Sequence, residues 1–250
     1  MSIHPTAVVS PEATIGRDVH IGPYSVIEGD AVIGDDCWID AHVKIASQTT
    51  LGPRCRVYFG ALIGEEPQDH RFRPGTPATT VIGADTVLRE YVTIHRSPFE
   101  GGVTSVGDKT LLMAFVHVGH DARIGSRVTV ANHTAISGHV IIEDGAVLSG
   151  YILIHQFCRI GRFAIISGGS VFSQDVPPFM MAEGRNGGVK MINKIGLQRA
   201  GFSSETITII KHLYRIYYRS GLIPSNALAK IKEELPQIPE VLEFIQFCES

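Results

Sequence analysis

The sequence lacks the features of several protein classes. Its formal net charge is −3, and it has no run of about five to eight basic residues, which argues against a nucleic-acid binder. Residues 1–5 have neither the basic nor the apolar region of a signal peptide, and no apolar stretch approaches the ~20 residues that span a bilayer. We therefore expect a cytoplasmic protein with no membrane span and no nucleic-acid partner.

Cysteine is also scarce. The chain has four cysteines, and no two of them form the close pair of a zinc motif: Cys37, Cys55, Cys158 and Cys248. The 250 residues are 44% hydrophobic and 19% charged, which is enough for a packed core in one large domain, alone or with a small appendage. We expect the protein to be reduced, with its cysteines as free thiols.

What the sequence does contain is a repeat of six residues. Each hexad begins with an aliphatic residue, often followed by glycine, and has a small or β-branched residue in its fifth place. From Ile15 the chain reads IGRDVH, IGPYSV, IEGDAV, IGDDCW; the pattern resumes at Ile82 and continues from Val106 almost unbroken to Val176. A helical period of 3.6 residues cannot maintain this spacing. The repeat therefore predicts a solenoid.

Three short strands per turn give a triangular coil of about 18 residues, stacked at the spacing of paired strands. The first and fifth residues of each hexad then face inward. Cys37, Cys55 and Cys158 all occupy the fifth place, so we expect them to be buried packing residues. The hexads resemble those of the hexapeptide-repeat acyltransferases, and this resemblance implies a β-solenoid of the left-handed parallel β-helix type.

Two stretches interrupt the repeat, residues 64–80 and 95–105, and we expect them to form loops that leave the coil. The pattern ends near Pro178. Ser203 or Ser204 can cap a helix that runs to Arg219, with Ile207, Ile210, Leu213 and Tyr217 on one face, and further helices are predicted at residues 225–235 and 239–247. We thus predict a β-helix over residues 1–178 and a C-terminal α-helical cap over residues 179–250.

The period also predicts which side chains meet outside the coil. His120 is third in its hexad and should face outward; Gly138 lies one coil above it and Gln156 two coils above. His139 follows Gly138, and Asp121 lies one coil beneath His139. An imidazole can take the proton of an attacking hydroxyl, and an unshielded glycine N–H can stabilise an oxyanion. This patch therefore predicts acyl transfer without a nucleophilic serine or cysteine.

Other interpretations of these histidines remain open. A single outward histidine is usually a solvated strand residue, and the coil could be a noncatalytic scaffold. His117, His120 and His139 could also bind zinc, although their spacing differs from the wider spacing of the γ-class carbonic anhydrases, which they otherwise resemble. Because several histidines share one patch, we predict a catalytic site without a metal.

Longer runs carry a closer resemblance. QDHRF, REYVTIHR, LLMAFVHVGHD, ISGHV, IHQFCRIG, QDVPPF and GFSSETI are similar to segments of the UDP-N-acetylglucosamine acyltransferases that begin lipid A synthesis. The resemblance covers nearly the whole chain. It implies transfer of a 3-hydroxyacyl chain from acyl carrier protein, where 4'-phosphopantetheine carries it, to the 3-position of a UDP-linked N-acetylglucosamine-type sugar. It implies no bound cofactor.

The resemblance also implies roles for individual residues. His120 would be the general base, oriented by Asp121, and Gly138 would supply the oxyanion N–H. In the same comparison, the sugar and diphosphate would be held by three residues: Asp69, His117 and His139.

Further roles concern the nucleotide and the acyl chain. Gln156 would lie near the nucleotide or the acyl amide, and His155 beside the nucleotide or the pantetheine path. Asn193 and Arg199 would contact uridine and phosphate. Gly168 would lie along the acyl groove, next to a less certain end that contains Asn186.

Three positions depart from the family. Arg71 stands where a lysine is usual, and it can still hold a phosphate with its forked guanidinium. Ile195 and Ala200 stand where an acid and a second arginine are usual. These departures leave two alternatives open: N-acylation of a 3-amino UDP-sugar, and acetyl-CoA-dependent sugar acetylation on the same scaffold.

Two partners are predicted. Between Arg185 and Arg219 the sequence has seven basic residues and one acid, Glu205, a local basic patch that suits an acidic acyl carrier protein. An isolated prism has flat faces that cannot enclose a substrate, so we expect a homotrimer with sites between neighbouring prisms.

Overall fold

The computed structural model describes residues 1–184 and 188–250. The chain winds into a coil whose short strands build three sheets, and each strand pairs in parallel with the strand one coil away. Ile3, for example, pairs with Ile21, and Ile21 pairs with Ile39. The predicted solenoid is confirmed.

The strands are two to five residues long. In chain order they are β1 (Ser2–Ile3), β2 (Val8–Val9), β3 (Thr14–Ile15), β4 (His20–Ile21), β5 (Val26–Ile27), β6 (Val32–Ile33), β7 (Trp38–Ile39), β8 (Lys44–Ile45), β9 (Thr49–Leu51), β10 (Arg56–Val57), β11 (Leu62–Glu65), β12 (Thr79–Ile82), β13 (Val87–Leu88), β14 (Thr93–His95), β15 (Val103–Val106), β16 (Leu111–Leu112), β17 (His117–Val118), β18 (Arg123–Ile124), β19 (Thr129–Val130), β20 (Ala135–Ile136), β21 (Ile141–Ile142), β22 (Val147–Leu148), β23 (Leu153–Ile154), β24 (Arg159–Ile160), β25 (Ile165–Ile166), β26 (Val171–Phe172), β27 (Met180–Glu183) and β28 (Gly188–Ile192). The first sheet runs from β1 through every third strand to β25, then β27 and β28; the second runs from β2 to β26 and the third from β3 to β24.

The helices follow the last strand. They are α1 (Lys194–Arg199), α2 (Ser204–Arg219), α3 (Pro224–Glu234) and α4 (Pro239–Glu249). Helix α2 begins as predicted, because the Ser203 side chain accepts a hydrogen bond from the N–H of Thr206 at 3.0 Å. No helix in the described ranges is both long enough and apolar enough to cross a membrane.

The end of the coil differs in detail from the sequence pattern. Strand β27 still pairs in parallel with β25, so the sheet continues past residue 178. Strand β28 then turns back against β27 in antiparallel pairing, and the short helix α1 follows it. Neither β28 nor α1 belongs to a hexad, which is why the repeat did not predict them.

The interior of the prism is an aliphatic stack that continues into the cap. The first residues of the hexads are buried, and Cys37, Cys55 and Cys158 are 1%, 0% and 4% exposed, as expected for the fifth place. The cap is fastened to the last coil by Arg162, whose guanidinium donates to both carboxylate oxygens of Glu243 in α4. One core therefore spans the coil and the cap.

The three corners of the prism differ in chemistry. The corner between the first and second sheets, which we call the aromatic corner, stacks rings at centroid distances of 4.8–5.5 Å from Tyr24 to Tyr151. The corner between the third and first sheets pairs charges between coils, as in Arg17–Asp35 at 2.7 Å. The corner between the second and third sheets, the site corner, carries both interrupting loops.

Those loops span residues 66–78, between β11 and β12, and residues 96–102, between β14 and β15. They lie against each other, because Gly101 donates a backbone hydrogen bond to Pro77 at 2.8 Å and Thr79 donates one to Gly102 at 3.0 Å. Strands β12 and β15 pair across the second loop, Ile82 with Val106. Both loops therefore project at one corner without disturbing the coil.

Candidate active site

The candidate general base lies at the site corner, just above the two loops. The side chain of His120 is 14% exposed, and its Nδ1 lies 2.8 Å from Oδ2 of Asp121. A carboxylate can only accept, so Nδ1 is the donor, and in the neutral imidazole Nε2 then keeps its lone pair. Nε2 also lies 3.6 Å from Oδ2 of Asp69, which comes from the first loop. This geometry suits an imidazole that removes a proton through Nε2.

Gly138 forms the surface on which this imidazole rests. A Cβ atom on Gly138 would lie 2.7 Å from both Cε1 and Nε2 of His120. Only glycine therefore lets the ring approach the backbone here. Among the residues that the structure describes, the Gly138 N–H has no hydrogen-bond acceptor. A bare N–H beside a base is the arrangement that acyl transfer requires.

Asp121 is itself held in place. Its backbone N–H donates to Oγ1 of Thr104 at 2.8 Å, and its carboxylate Oδ2 lies 3.8 Å from Nε2 of His139. The imidazole rings of His120 and His139 meet edge to face, with centroids 5.1 Å apart. Asp121 therefore lies between two imidazoles, as the register predicted, and it orients the nearer one.

The first loop adds a charged pair. Arg71 donates from Nε and Nη2 to the carboxylate of Asp69, the shortest of these contacts being 2.6 Å. The Arg71 guanidinium and backbone N–H hold the pKa of Asp69 well below its usual range. The Asp69 carboxylate is thus anionic at neutral pH and lies at the open side of His120. Its placement fits the predicted role in substrate binding.

His117 lies deeper. Its Nδ1 is 2.9 Å from Oγ1 of Thr93, and its ring is 5.2 Å from that of His95. Burial, followed by the nearby His95 and His120, lowers the pKa of His117 to about 4. His117 is therefore a neutral hydrogen-bonding group at neutral pH.

The column above His139 is open to solvent. Phe157 stacks on His139 with ring centroids 4.7 Å apart, and 63% of Phe157 is exposed. His155 and Gln156 are exposed on the same coil, where Nδ1 of His155 lies 3.1 Å from the Gln156 carbonyl oxygen. These residues can line a substrate path that continues upward from His120.

Three predicted residues lie away from this group. Asn193 caps α1, and its amide bonds to the Phe163 carbonyl and the Gly196 N–H, with 7% of the residue exposed. Arg199 is exposed at the end of α1. Gly168 lies at the upper end of the aromatic corner.

The sequence-predicted groove residue Asn186 falls outside the described residues. At Gly168, an added Cβ would meet the Gly150 carbonyl oxygen at 3.2 Å. Asn193, Arg199 and Gly168 remain predicted site residues that have no contact with the His120 group in one chain.

The zinc alternative is only partly supported by the geometry. The donor atoms that come within 4.8 Å of one another belong to His120, Asp121 and His139, so His117 does not join them. The Asp121 oxygen in this group already pairs with Nδ1 of His120 at 2.8 Å. The arrangement therefore fits an acid–base pair better than the three-histidine set.

Sequence reasoning missed several residues around the site. Thr104 anchors Asp121, Thr93 pairs with His117, and Phe157 stacks on His139. Phe99, from the second loop, lies with its ring 4.9 Å from Cζ of Arg71. The period of 18 residues could have found Phe157, but the loop residues have no register from which to place them.

Comparisons with known proteins identify the family. Residues 175–250 match the family described as Udp N-acetylglucosamine O-acyltransferase, Domain 2, and residues 30–65 and 104–138 match the bacterial transferase hexapeptide family. An acyl-[acyl-carrier-protein]–UDP-N-acetylglucosamine O-acyltransferase of Chlorobaculum parvum is 52% identical over 250 residues, which cover 100% of this chain and 94% of the relative. The protein of the same name from Thermodesulfovibrio yellowstonii is 44% identical over 249 residues, 99% of this chain and 96% of the relative.

Solved structures agree as well. The UDP-N-acetylglucosamine acyltransferase from Bacteroides fragilis superposes with a TM-score of 0.94 at 43% identity, over 98% of this chain and 96% of that one. The protein from Francisella novicida superposes with a TM-score of 0.93 at 36% identity, over 98% of this chain and 90% of that one. The left-handed parallel β-helix with a helical cap is thereby confirmed. The chain belongs to the family of acyl-[acyl-carrier-protein]–UDP-N-acetylglucosamine O-acyltransferases.

Proposed function

We propose that this protein transfers a 3-hydroxyacyl chain from acyl carrier protein to the 3-hydroxyl of UDP-N-acetylglucosamine, the first step of lipid A synthesis. One observation carries the proposal: Nε2 of His120 rests against the bare backbone of Gly138 while Nδ1 is held 2.8 Å from Asp121. The names of the full-length relatives supply the carrier and the nucleotide sugar.

The chemistry follows from this pair. Nε2 of His120 takes the proton of the sugar hydroxyl, and the oxygen attacks the carbonyl carbon of the thioester. The N–H of Gly138 stabilises the oxyanion of the tetrahedral intermediate. When the intermediate collapses, the C–S bond breaks, and the imidazolium returns its proton to the departing pantetheine thiolate. Asp121 keeps the imidazole in the correct tautomer and stabilises its charged form.

Sugar and diphosphate are held by the groups around this base. Asp69 can accept from sugar hydroxyls, and Arg71, with a side chain that is 61% exposed, can donate to phosphate. His117 and His139 supply further hydrogen bonds. We assign Asn193 and Arg199 to the uridine and phosphate end, and Gln156 and His155 to the path between nucleotide and pantetheine.

The carrier protein docks on the helical cap. A cleft of about 450 Å³ between β28, α1 and α2 is lined by Lys194, Lys211 and Arg215, and none of the described residues that line it is acidic. Acyl carrier protein is acidic, so charge complementarity favours this face. The donor brings its own 4'-phosphopantetheine, and the chemistry needs no cofactor bound to this chain.

A donor–acceptor matrix tests the proposal. Acyl carrier proteins loaded with 3-hydroxyacyl chains of several lengths, and acetyl-CoA, are each offered UDP-N-acetylglucosamine and its 3-amino analogue. We expect the carrier-bound long acyl chain and the 3-hydroxyl sugar to give the highest kcat/KM. A higher kcat/KM for the amino sugar would favour N-acylation, and turnover with acetyl-CoA alone would contradict the proposal.

The base is tested by His120→Ala. This change should lower kcat by about 10²–10⁴-fold, the usual contribution of a positioned acid–base group, while the thermal unfolding temperature stays near that of the wild type. His139→Ala should mainly raise KM for the nucleotide sugar. Near-normal turnover in His120→Ala together with an inactive His139→Ala would reverse these two roles.

A further inference from the structure

Phe99 connects two parts of the site that the mechanism treats separately. It lies in the second loop with 41% of its surface exposed. The Arg71 guanidinium carbon lies 4.9 Å from the centre of its ring. The same ring lies 6.3 Å from the imidazole of His139, tilted by 32°. An exposed aromatic ring thus lies beside both a cation and a site histidine.

The backbone fixes this ring in place. Ser97, which is fully buried, accepts the Phe99 N–H on its hydroxyl oxygen at 3.0 Å, and the Phe99 carbonyl accepts from Gly102 at 3.0 Å. The bond from Gly101 to Pro77 then ties this loop to the one that carries Arg71. Because this hydrogen bond joins the two loops close to Phe99, it keeps the Phe99 ring in contact with Arg71.

Arg71 is consequently held on two sides. Its Nε and Nη2 donate to Asp69, and its Cζ lies over the Phe99 ring. Within the described part of the chain, Nη1 donates to no acceptor. A guanidinium can stack on a ring while its edge donates hydrogen bonds, whereas a lysine ammonium is a hydrated point charge on a flexible stem. Two fixed sides leave one edge, Nη1, for a ligand.

We propose that Phe99 is a positioning residue: it holds the Arg71 guanidinium so that its free edge meets an anionic oxygen of the nucleotide sugar. The inference rests on the proposed function for the identity of that ligand. The partner of Phe99 is the planar guanidinium and not positive charge in general, so its effect depends on arginine at residue 71.

A double-mutant cycle tests this dependence. The variants are Phe99→Leu, Arg71→Lys and the double variant, and the measurements are the calorimetric Kd for UDP-N-acetylglucosamine and the kinetics of acyl transfer. We expect Phe99→Leu to raise Kd and KM by about two- to fivefold, the usual contribution of an exposed cation–π contact, with kcat unchanged. In the Arg71→Lys background the same change should have no further effect. Phe99→Tyr should restore wild-type affinity.

Phe72→Leu is the matched control, because Phe72 also lies on a loop, although it is less exposed than Phe99, and has Arg96 as its own guanidinium partner at 5.5 Å. Its Kd should stay at the wild-type value. The inference would be overturned if Phe99→Leu weakened binding of the nucleotide sugar equally with arginine and with lysine at residue 71. A lower kcat in Phe99→Leu would also overturn it, as would an equal loss of affinity in Phe72→Leu.

The experiments can contradict the proposed function and this inference independently of each other. A wild-type protein that binds the nucleotide sugar but transfers no acyl chain would contradict the function and leave the cycle intact. Acyl transfer with an additive cycle would contradict only the role of Phe99. A wild-type protein that does not bind the nucleotide sugar would contradict both.

Discussion

The side chains of Asp121 and His139 project from residues whose backbone is left-handed, with φ of 58° and 59°. Aspartate and histidine are enriched among the non-glycine residues that adopt this conformation. At other corners the same conformation presents Tyr24 and His133, with φ of 57° and 59°. A histidine at this place of a hexad can therefore have a purely structural role. Whether it takes part in catalysis depends on the residues that lie next to it one coil away.

Gly138→Ala is the sharpest test of the base. The new methyl group would lie 2.7 Å from the imidazole of His120, so the ring has to move away from the backbone N–H. Because both the base and the oxyanion donor are disturbed, we expect kcat to fall by about 10²-fold or more. Steady-state kinetics under saturating nucleotide sugar measure this fall.

The control for this test is Gly188→Ala. Gly188 lies in β28, and among the residues that the structure describes nothing lies within 4 Å of the place that its Cβ would take. This variant should keep the wild-type kcat and unfolding temperature. A Gly138→Ala enzyme with the same kcat as Gly188→Ala would mean that the ring and the glycine do not act together.

His117 should make folding stability depend on pH. Its pKa falls from 6.5 to about 4 on folding, so between these values the unfolded chain binds a proton that the folded chain refuses. The stability that neutral His117 provides is complete above pH 6.5 and is lost as the pH falls toward 4. Between pH 7 and 4.5 the loss is on the order of 2–3 kcal/mol.

His117→Asn supplies the comparison, since an amide can still pair with Thr93 but does not titrate. Urea unfolding at fixed protein concentration should give the variant a flatter dependence of the unfolding free energy on pH than the wild type. Parallel curves for the two proteins across this range would contradict the expected titration of His117.

At the scale of the elements, the coil positions residues by register and the loops position them by hydrogen bonds. The sheets bring His120 beneath Gly138 because residues one coil apart pair, and the sequence alone predicted this. Asp69 reaches the same place from an irregular loop, where only resemblance indicated a role. The aromatic contact of Phe99 had no sequence signal, because nothing in the period fixes where a loop residue lies.

The cap shows the same division. The amphipathic pattern of Ile207, Ile210 and Leu213 predicted α2, and all three side chains are buried. Strand β28 and helix α1 have no such pattern. Their positions follow from antiparallel pairing with β27 and from Asn193, which caps α1 and donates to the Phe163 carbonyl 30 residues earlier in the chain. The hexad period predicts neither contact.

Gly168 tests the acyl groove. A methionine there should fill the far end of a groove between prisms and shift donor preference toward shorter acyl chains, since each buried methylene contributes roughly 0.8 kcal/mol. The measurement is competition between carrier-bound donors of about 8–14 carbons. An unchanged donor preference would show that Gly168 does not limit the length of the acyl chain.

The contact of a Gly168 Cβ with the Gly150 carbonyl at 3.2 Å raises a second possibility, that glycine only relieves a tight corner. In that case Gly168→Met would lower the unfolding temperature and reduce turnover of all donors equally. Melting temperature and donor preference measured on the same preparation separate the two outcomes.

At the scale of the whole molecule, the candidate site lies on an exposed corner of a single prism. His155, Gln156 and Arg199 are exposed, and no cleft of this chain encloses the described site residues together. We therefore predict a homotrimer of parallel prisms with three sites between subunits. Sedimentation equilibrium at micromolar concentration should give three times the mass of the 27.2 kDa chain. A fully active monomer would contradict this assembly.

The register of the coil restricts how such a protein can change its length. An extra hexad folded as a strand would advance every later corner by one third of a turn. Later residues of the aromatic corner would then move to the site corner, and His120 would move to the corner between the third and first sheets. Whole coils can be gained or lost without this shift. Shorter insertions are compatible with the coil only when they leave it as loops, as residues 66–78 and 96–102 do. Strand pairing then continues in the same register, as Ile82 with Val106 shows. A change in the length of such a loop therefore leaves the spacing of His120 and Gly168 along the coil unchanged.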